Sequence, residues 1–100
     1  MSATPAVSVV LPVHNGRDFV ETSIRSVLAQ DFTDFELVVG DDGSDDGTDE
    51  VLAKLAAEDV RIRLLRRPSK SGLARSANWV ISEARAPLVA IAHADDIYDP

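Results

Sequence analysis

Two acidic clusters hold the residues of this chain best suited to chemistry. The first, Asp41-Asp42-Gly43-Ser44-Asp45-Asp46-Gly47-Thr48, follows the apolar run from Phe35 to Val39. The second, His93-Ala94-Asp95-Asp96, follows the apolar run from Leu88 to Ala92. Carboxylates at the ends of parallel neighbouring strands open on one crevice. Like charges held close repel, so such a crevice is poised to take a divalent cation and, through it, a phosphate. A glycine-rich turn with an acidic helix cap accounts for Ser44 to Glu50, but not for Asp41 and Asp42, which need partners if they lie against a buried strand. A calcium loop fails on spacing, because Ala53 stands where the closing glutamate belongs. In the second cluster, adjacent aspartates on extended backbone point apart, so one can hold a metal while the other holds a loop or a sugar. The plain alternative there is a solvated turn running on to Asp99-Pro100.

The elements that must position these acids are legible as periodicities. Residues 6–11 form a β-branched run ended by Pro12, a buried strand. Asn15-Gly16 reads as a turn, with Asn15 and Asp18 as the cap and acidic third position of a helix whose face is Phe19, Val20, Ile24, Val27 and Leu28. Residues 35–39 form the second strand, and Ser44 or Asp45 caps a helix with the stripe Val51, Leu52, Leu55 and Ala56. Residues 61–66 form a third strand whose arginines place it at an edge. A third helix spans about residues 71–84, with Leu73, Ala77, Val80, Ile81 and Ala84 inward, and Pro87 opens a fourth strand at residues 88–92. The order βαβαβαβ implies an α/β fold, a three-layer α/β/α arrangement with a mostly parallel sheet and right-handed crossovers. Strands one, two and four then end on one rim, and the acids at positions 41, 42 and 95 are expected to surround a common cavity there.

Other side chains take their roles from that frame. His14, at the mouth of strand one, can stack on a base or simply lie at the surface, and His93 can ligate a metal, donate to a phosphate or sit idle in a loop. Arg75, just after Gly72, is placed to meet an anion at a helix N-terminus, or to be an exposed helix arginine. Arg61, Arg63, Arg66, Arg67 and Lys70 are expected to solvate the edge strand, and Trp79 to join the core. No dinucleotide fingerprint, Walker motif or nucleophile–base pair is present. Seventeen acids against ten bases, a net charge of -7, argue against nucleic acid as a partner. With no cysteine, disulfides and thiolate chemistry are excluded, which fits a reducing compartment. The first residues do not read as a signal peptide, and no apolar run reaches the roughly 18 residues of a membrane span. The expected location is cytoplasmic, with peripheral attachment at the inner face of the membrane compatible with it. Residues 1–100 read as a single domain, and an ending beside a polar, functional-looking loop reads as truncation of a longer chain.

With these pieces assembled, the chain resembles family 2 glycosyltransferases of the GT-A fold. The resemblance rests on VSVVLPVHN, SIRSVLAQDFTDFELVVGDDGSDDGT, GLARSAN and HADDIYDP, in that order over residues 7–100. It implies a Rossmann-like half-domain that binds a nucleotide-diphospho-sugar, with a metal-dependent, inverting transfer of sugar to an acceptor hydroxyl. Pro12, His14 and Asn15 would line the base pocket, with His14 where tyrosine is common. Asp41 and Asp42 would sit by the base and ribose, Asp42 being the better candidate for the base. Arg75 would reach toward the nucleotide or its diphosphate. The Asp-x-Asp motif reads His93-Ala94-Asp95, so Asp95 is the metal ligand for Mn2+ or Mg2+, while His93 and Asp96 remain donor-site candidates. The family's catalytic base and acceptor site lie farther along such chains, so no catalytic residue is assigned within these residues. The acceptor (saccharide, lipid-linked or protein) is undefined, and a cell-envelope polysaccharide is the expected product class. The rival reading is a non-catalytic α/β binding or assembly module, with homo-oligomers forming through a truncated face.

Overall fold

The computed structural model describes residues 4–68 and 70–92. Within them the elements alternate as β1 (Val7–Val13), α1 (Val20–Leu28), β2 (Phe35–Asp42), α2 (Thr48–Glu58), β3 (Ile62–Arg67), α3 (Leu73–Ser82) and β4 (Leu88–Ile91). Every strand pairing is parallel and the sheet order is β3-β2-β1-β4. The chain steps outward from β1 to β3, then returns to lay β4 on the other side of β1. Strand order therefore reverses at β1, and the carboxyl end of β1 is the switch point where open α/β sheets bind ligands.

The alternation of side chains along β1 and β2 divides the interior in two. Leu11, Val13, Leu37 and Val39 pack against Val20, Ile24 and Val27 of α1 and Leu52 and Leu55 of α2. Val10 and Val38 face the other way, onto Val80 of α3, with Leu65 and Trp79 alongside. Trp79 thus joins the core's margin, as expected. Gly40 makes the close approach of α3 to the sheet feasible, since a Cβ there would lie 2.3 Å from Val80 Cγ2 and 3.0 Å from Trp79 Cζ3.

Three boundaries differ from the sequence reading, each for a local reason. Pro12 does not end β1, which continues to Val13, with Pro12 opposite Gly40 of β2. Its missing N–H lies on the other side. The Ala92 N–H bonds the Val10 carbonyl at 2.9 Å, and the next bond of that parallel ladder would be donated by residue 12. Proline cannot donate it, so the β1–β4 pairing stops at Val10 and Ile91. β2 runs through Asp41 and Asp42, which pair with Val13 and Arg67 rather than lying in a loop. The helix caps also differ. Gly47, at φ 96°, precedes Thr48 at the start of α2 in place of Ser44 or Asp45, and α1 starts after Phe19, with Asn15 engaged elsewhere. The edge position of β3 is as expected, but its arginines do more than solvate it: Arg61 pairs with Asp59, Arg63 with Glu36 and Glu83, and Arg66 with Asp49.

Candidate functional site

At the carboxyl rim, β1 and β2 pass into two loops that are laced together. Asn15 adopts a left-handed conformation (φ 53°), which asparagine tolerates. This lets its N–H donate to Ser44 Oγ at 2.9 Å while its Oδ1 accepts from the Asp45 N–H at 2.9 Å. The Gly16 N–H donates to Thr48 Oγ1 at 3.0 Å, and Asp46 accepts the N–H of Thr48 at 3.0 Å. Asn15 is therefore a clasp between loops, the reason it does not cap α1. His14 Nδ1 lies 2.7 Å from the Asp42 carbonyl oxygen, an acceptor only. Nδ1 thus carries the proton, and in the neutral ring Nε2 keeps its lone pair for a ligand.

Asp41 and Asp42 are both buried but do not share a cavity. Adjacent residues of a strand point to opposite faces, and the partners follow suit. Asp41 faces the α2 side: its Oδ1 accepts the Ser44 N–H at 3.2 Å, and its Oδ2 stands 3.9 Å from Arg66 Nε with no hydrogen bond among the described residues. Asp42 faces α3. It accepts from the Ser71 N–H at 2.9 Å, Ser71 Oγ at 2.9 Å and the Gly72 N–H at 3.2 Å. Burial pushes the Asp42 carboxyl up, but these bonds from Ser71 and Gly72, with the charge of Arg67, together hold it below the ordinary carboxylate range. Arg67 in turn lies 4.2 Å over the Trp79 ring and donates to Ser71 Oγ at 3.2 Å. The expectation of one cavity shared by Asp41 and Asp42 is thus corrected. Asp42 serves the α3 face, and Asp41 shapes the turn after β2 on the other.

A pocket of about 310 Å³ opens between the end of β1 and the start of α3, lined by Pro12, Val13, His14, Asp42, Lys70, Gly72 and Ser76. It gathers Pro12, His14 and Asp42 from the sequence candidates, while Asn15 is not part of the lining. Arg75 is exposed on the first turn of α3 and is not part of this lining. Lys70 and Ser76 were missed. Ser76 lies four residues before Val80, so it was readable as a polar residue on the buried stripe of α3. A larger cavity, about 690 Å³, lies at the opposite, amino-terminal rim among Thr4, Phe35, Arg61 and Arg85. Its arginine Arg61 is already paired, and ligands of such sheets bind at the other rim, so size does not decide here. His93, Asp95 and Asp96 lie outside the described residues. Among the described residues no group of three potential ligands could hold a metal ion. No described helix is long and apolar enough to cross a membrane.

Residues 8–100 match the model of the family described as glycosyl transferase family 2. Glycosyltransferase GlyG of Streptococcus pneumoniae is 32% identical over 91% of this chain, which spans 30% of that protein. The hyaluronan synthase of Pasteurella multocida is 30% identical over 100% of this chain, which spans 10% of it. Among solved structures, the mannosyltransferase PcManGT from Pyrobaculum calidifontis, in complex with GDP-Man and Mn2+, superposes with a TM-score of 0.86 at 26% identity, over 96% of this chain and 29% of its own. Residues 1–349 of S. aureus TarS in complex with UDP-GlcNAc give 0.83 at 26% identity, over 91% of this chain and 27% of their own.

Proposed function

This chain belongs to glycosyl transferase family 2, and from that premise we propose that it is the donor-binding part of an enzyme that moves a sugar from a nucleotide diphosphate to an acceptor hydroxyl. The observation that carries the reading is the pocket at the strand-reversal point, whose lining includes Pro12, His14 and Asp42. A proline ring and an imidazole in one lining suit a nucleobase, and the structural relatives with GDP-Man and UDP-GlcNAc support a nucleotide-sugar as ligand.

The chain is acidic overall, so a donor diphosphate is poorly accommodated without a counter-charge. The described residues do not make a cation site, and the ligands of a Mn2+ or Mg2+ ion are assigned to the segment after β4, with Asp95 first among them. The ion would neutralise charge on the leaving nucleotide. Inversion at the anomeric carbon and a general base from another part of the polypeptide complete the proposal. A cell-envelope polysaccharide as product is supported by a relative from Bacillus subtilis named for teichuronic acid biosynthesis. The location remains the one proposed from sequence, cytoplasmic with peripheral membrane association.

Calorimetry with UDP and GDP, each with and without Mn2+, tests the reading. Binding is expected only with metal and is lost in Asp95→Ala. Metal-independent binding of unchanged strength in that variant defeats the metal assignment, and no binding of either nucleotide defeats the donor reading. Exposed Leu88, Val89 and Ile91 on the edge strand β4 favour one alternative, an assembly module. A nucleotide-blind oligomer in light scattering would establish that module in place of a donor site.

A further inference from the structure

We infer that Ser76 is a specificity-determining contact of this pocket, donating or accepting a hydrogen bond at the edge of the donor's nucleobase; the inference rests on the donor reading above. Ser76 is 2% exposed, and its Oγ has no hydrogen-bond partner among the described residues. Its own N–H is spent on the Gly72 carbonyl at 2.9 Å as part of α3. A buried hydroxyl without a partner is destabilising, and alanine at this helical position would avoid the penalty. Yet Ser76 lines the same pocket as Pro12, Val13, His14 and Asp42. An unpaired hydroxyl in a ligand-sized wall is a group that waits for its partner from outside the protein.

The chemistry of the surroundings selects the base among the parts of a nucleotide-sugar. The N-terminus of α3 would ordinarily attract a phosphate. Here a negative charge already stands at that end of the helix, because the Asp42 carboxylate takes the N–H groups of Ser71 and Gly72 just ahead of α3. Lys70 of the lining is exposed, so a second negative group beside buried Asp42 remains disfavoured and the diphosphate belongs elsewhere. What remains for the pocket is a flat group with an apolar face and a polar edge. Pro12 offers the face, and His14 and Ser76, which line the same pocket, offer the edge. Asp42 has little left to give, since both its oxygens are engaged by Ser71 and Gly72.

Titration of UDP and of GDP, each with Mn2+, into the wild type and Ser76→Ala tests this, with thermal unfolding of both proteins alongside. The variant is expected to unfold at or above the wild-type midpoint, because a stranded hydroxyl has been removed. It is expected to lose about threefold to tenfold in affinity for the nucleotide the wild type prefers, the loss of one hydrogen bond. The ratio of UDP to GDP affinities shifts with it, since the two bases present different edges. Unchanged nucleotide affinity in Ser76→Ala, or a lowered midpoint with unchanged affinity, overturns the inference and leaves the donor reading standing. An equal loss for both nucleotides places the contact on the ribose or diphosphate and overturns the base assignment. A wild type that binds neither nucleotide overturns the donor reading and this inference together.

Discussion

Asp42 shows how a single carboxylate can hold a site together before any ligand arrives. It ties the end of β2 to the start of α3 through Ser71 and Gly72, and its own carbonyl orients the His14 ring. Its carboxyl titrates below the ordinary value, about 4 for an aspartate. In acid the unfolded chain therefore binds the proton first. The stabilisation from Asp42 is complete above the unfolded value and fades as pH falls through the lower, folded one. Asp42→Asn places an amide among N–H donors and is expected to lose about 1–3 kcal/mol at neutral pH. Urea unfolding of both proteins from pH 7 to pH 3 should show the gap between them narrowing on acidification. A gap that stays constant or widens in acid would remove Asp42 as the tie between β2 and the approach to α3. Asp41, one residue earlier, faces Arg66 across the other side of the sheet and has no part in this coupling.

At the level of elements, the packing of α3 on β2 sets the shape of the pocket, and Gly40 sets the packing. A methyl at position 40 would collide with Val80 and press on Trp79, so α3 would have to move outward. Gly40→Ala is expected to lower stability by about 1–3 kcal/mol, as overpacking does, and to weaken nucleotide binding because Ser76 and Gly72 ride on the same helix. Chemical denaturation and calorimetry on one preparation would check both effects. Stability equal to wild type would mean that α3 sits less tightly on the sheet than described. Much of this layer was legible in sequence. The alternation of apolar runs named all seven elements in order, and the arginines of β3 marked the edge. What was not legible was how far each strand ran past its apolar stretch. Gly40, Asp41 and Asp42 are polar or small, so the apolar run alone ends β2 at Val39, yet the parallel ladder with β1 and β3 carries them on. Had the strand been extended, the alternation applied to Asp95 and Asp96 would have separated Asp41 from Asp42 as well. Asn15 was equally unreadable as a clasp, because its partners Ser44 and Asp45 are some thirty residues away.

At the scale of the molecule, the sheet separates two rims with different work. The carboxyl rim holds the pocket whose polar groups, Ser76 Oγ and His14 Nε2, have no hydrogen bond among the described residues. The amino rim holds the larger cavity, where Arg61 and Arg63 are already paired. Arg61 lies 4.7 Å over the Phe35 ring, donates to the Leu28 carbonyl at 3.2 Å and pairs with Asp59 at 2.8 Å. The bond to Asp59 raises the Arg61 pKa above its usual value, while the bond from Arg61 lowers that of Asp59, as expected for a pair that keeps its charges. Parallel topology alone pointed to the first rim, and cavity size alone would have pointed to the second. The distinction is measurable with two variants. Arg61→Ala removes a partly buried pair, a ring contact and a backbone bond, and is expected to lose about 1–2 kcal/mol of stability with nucleotide affinity unchanged. His14→Ala removes a ring from the pocket wall and is expected to lose about tenfold in nucleotide affinity, in keeping with base stacking on an aromatic ring. If Arg61→Ala abolishes nucleotide binding while His14→Ala leaves it untouched, the ligand belongs to the amino rim. The end of β1 would then be only a well-packed turn.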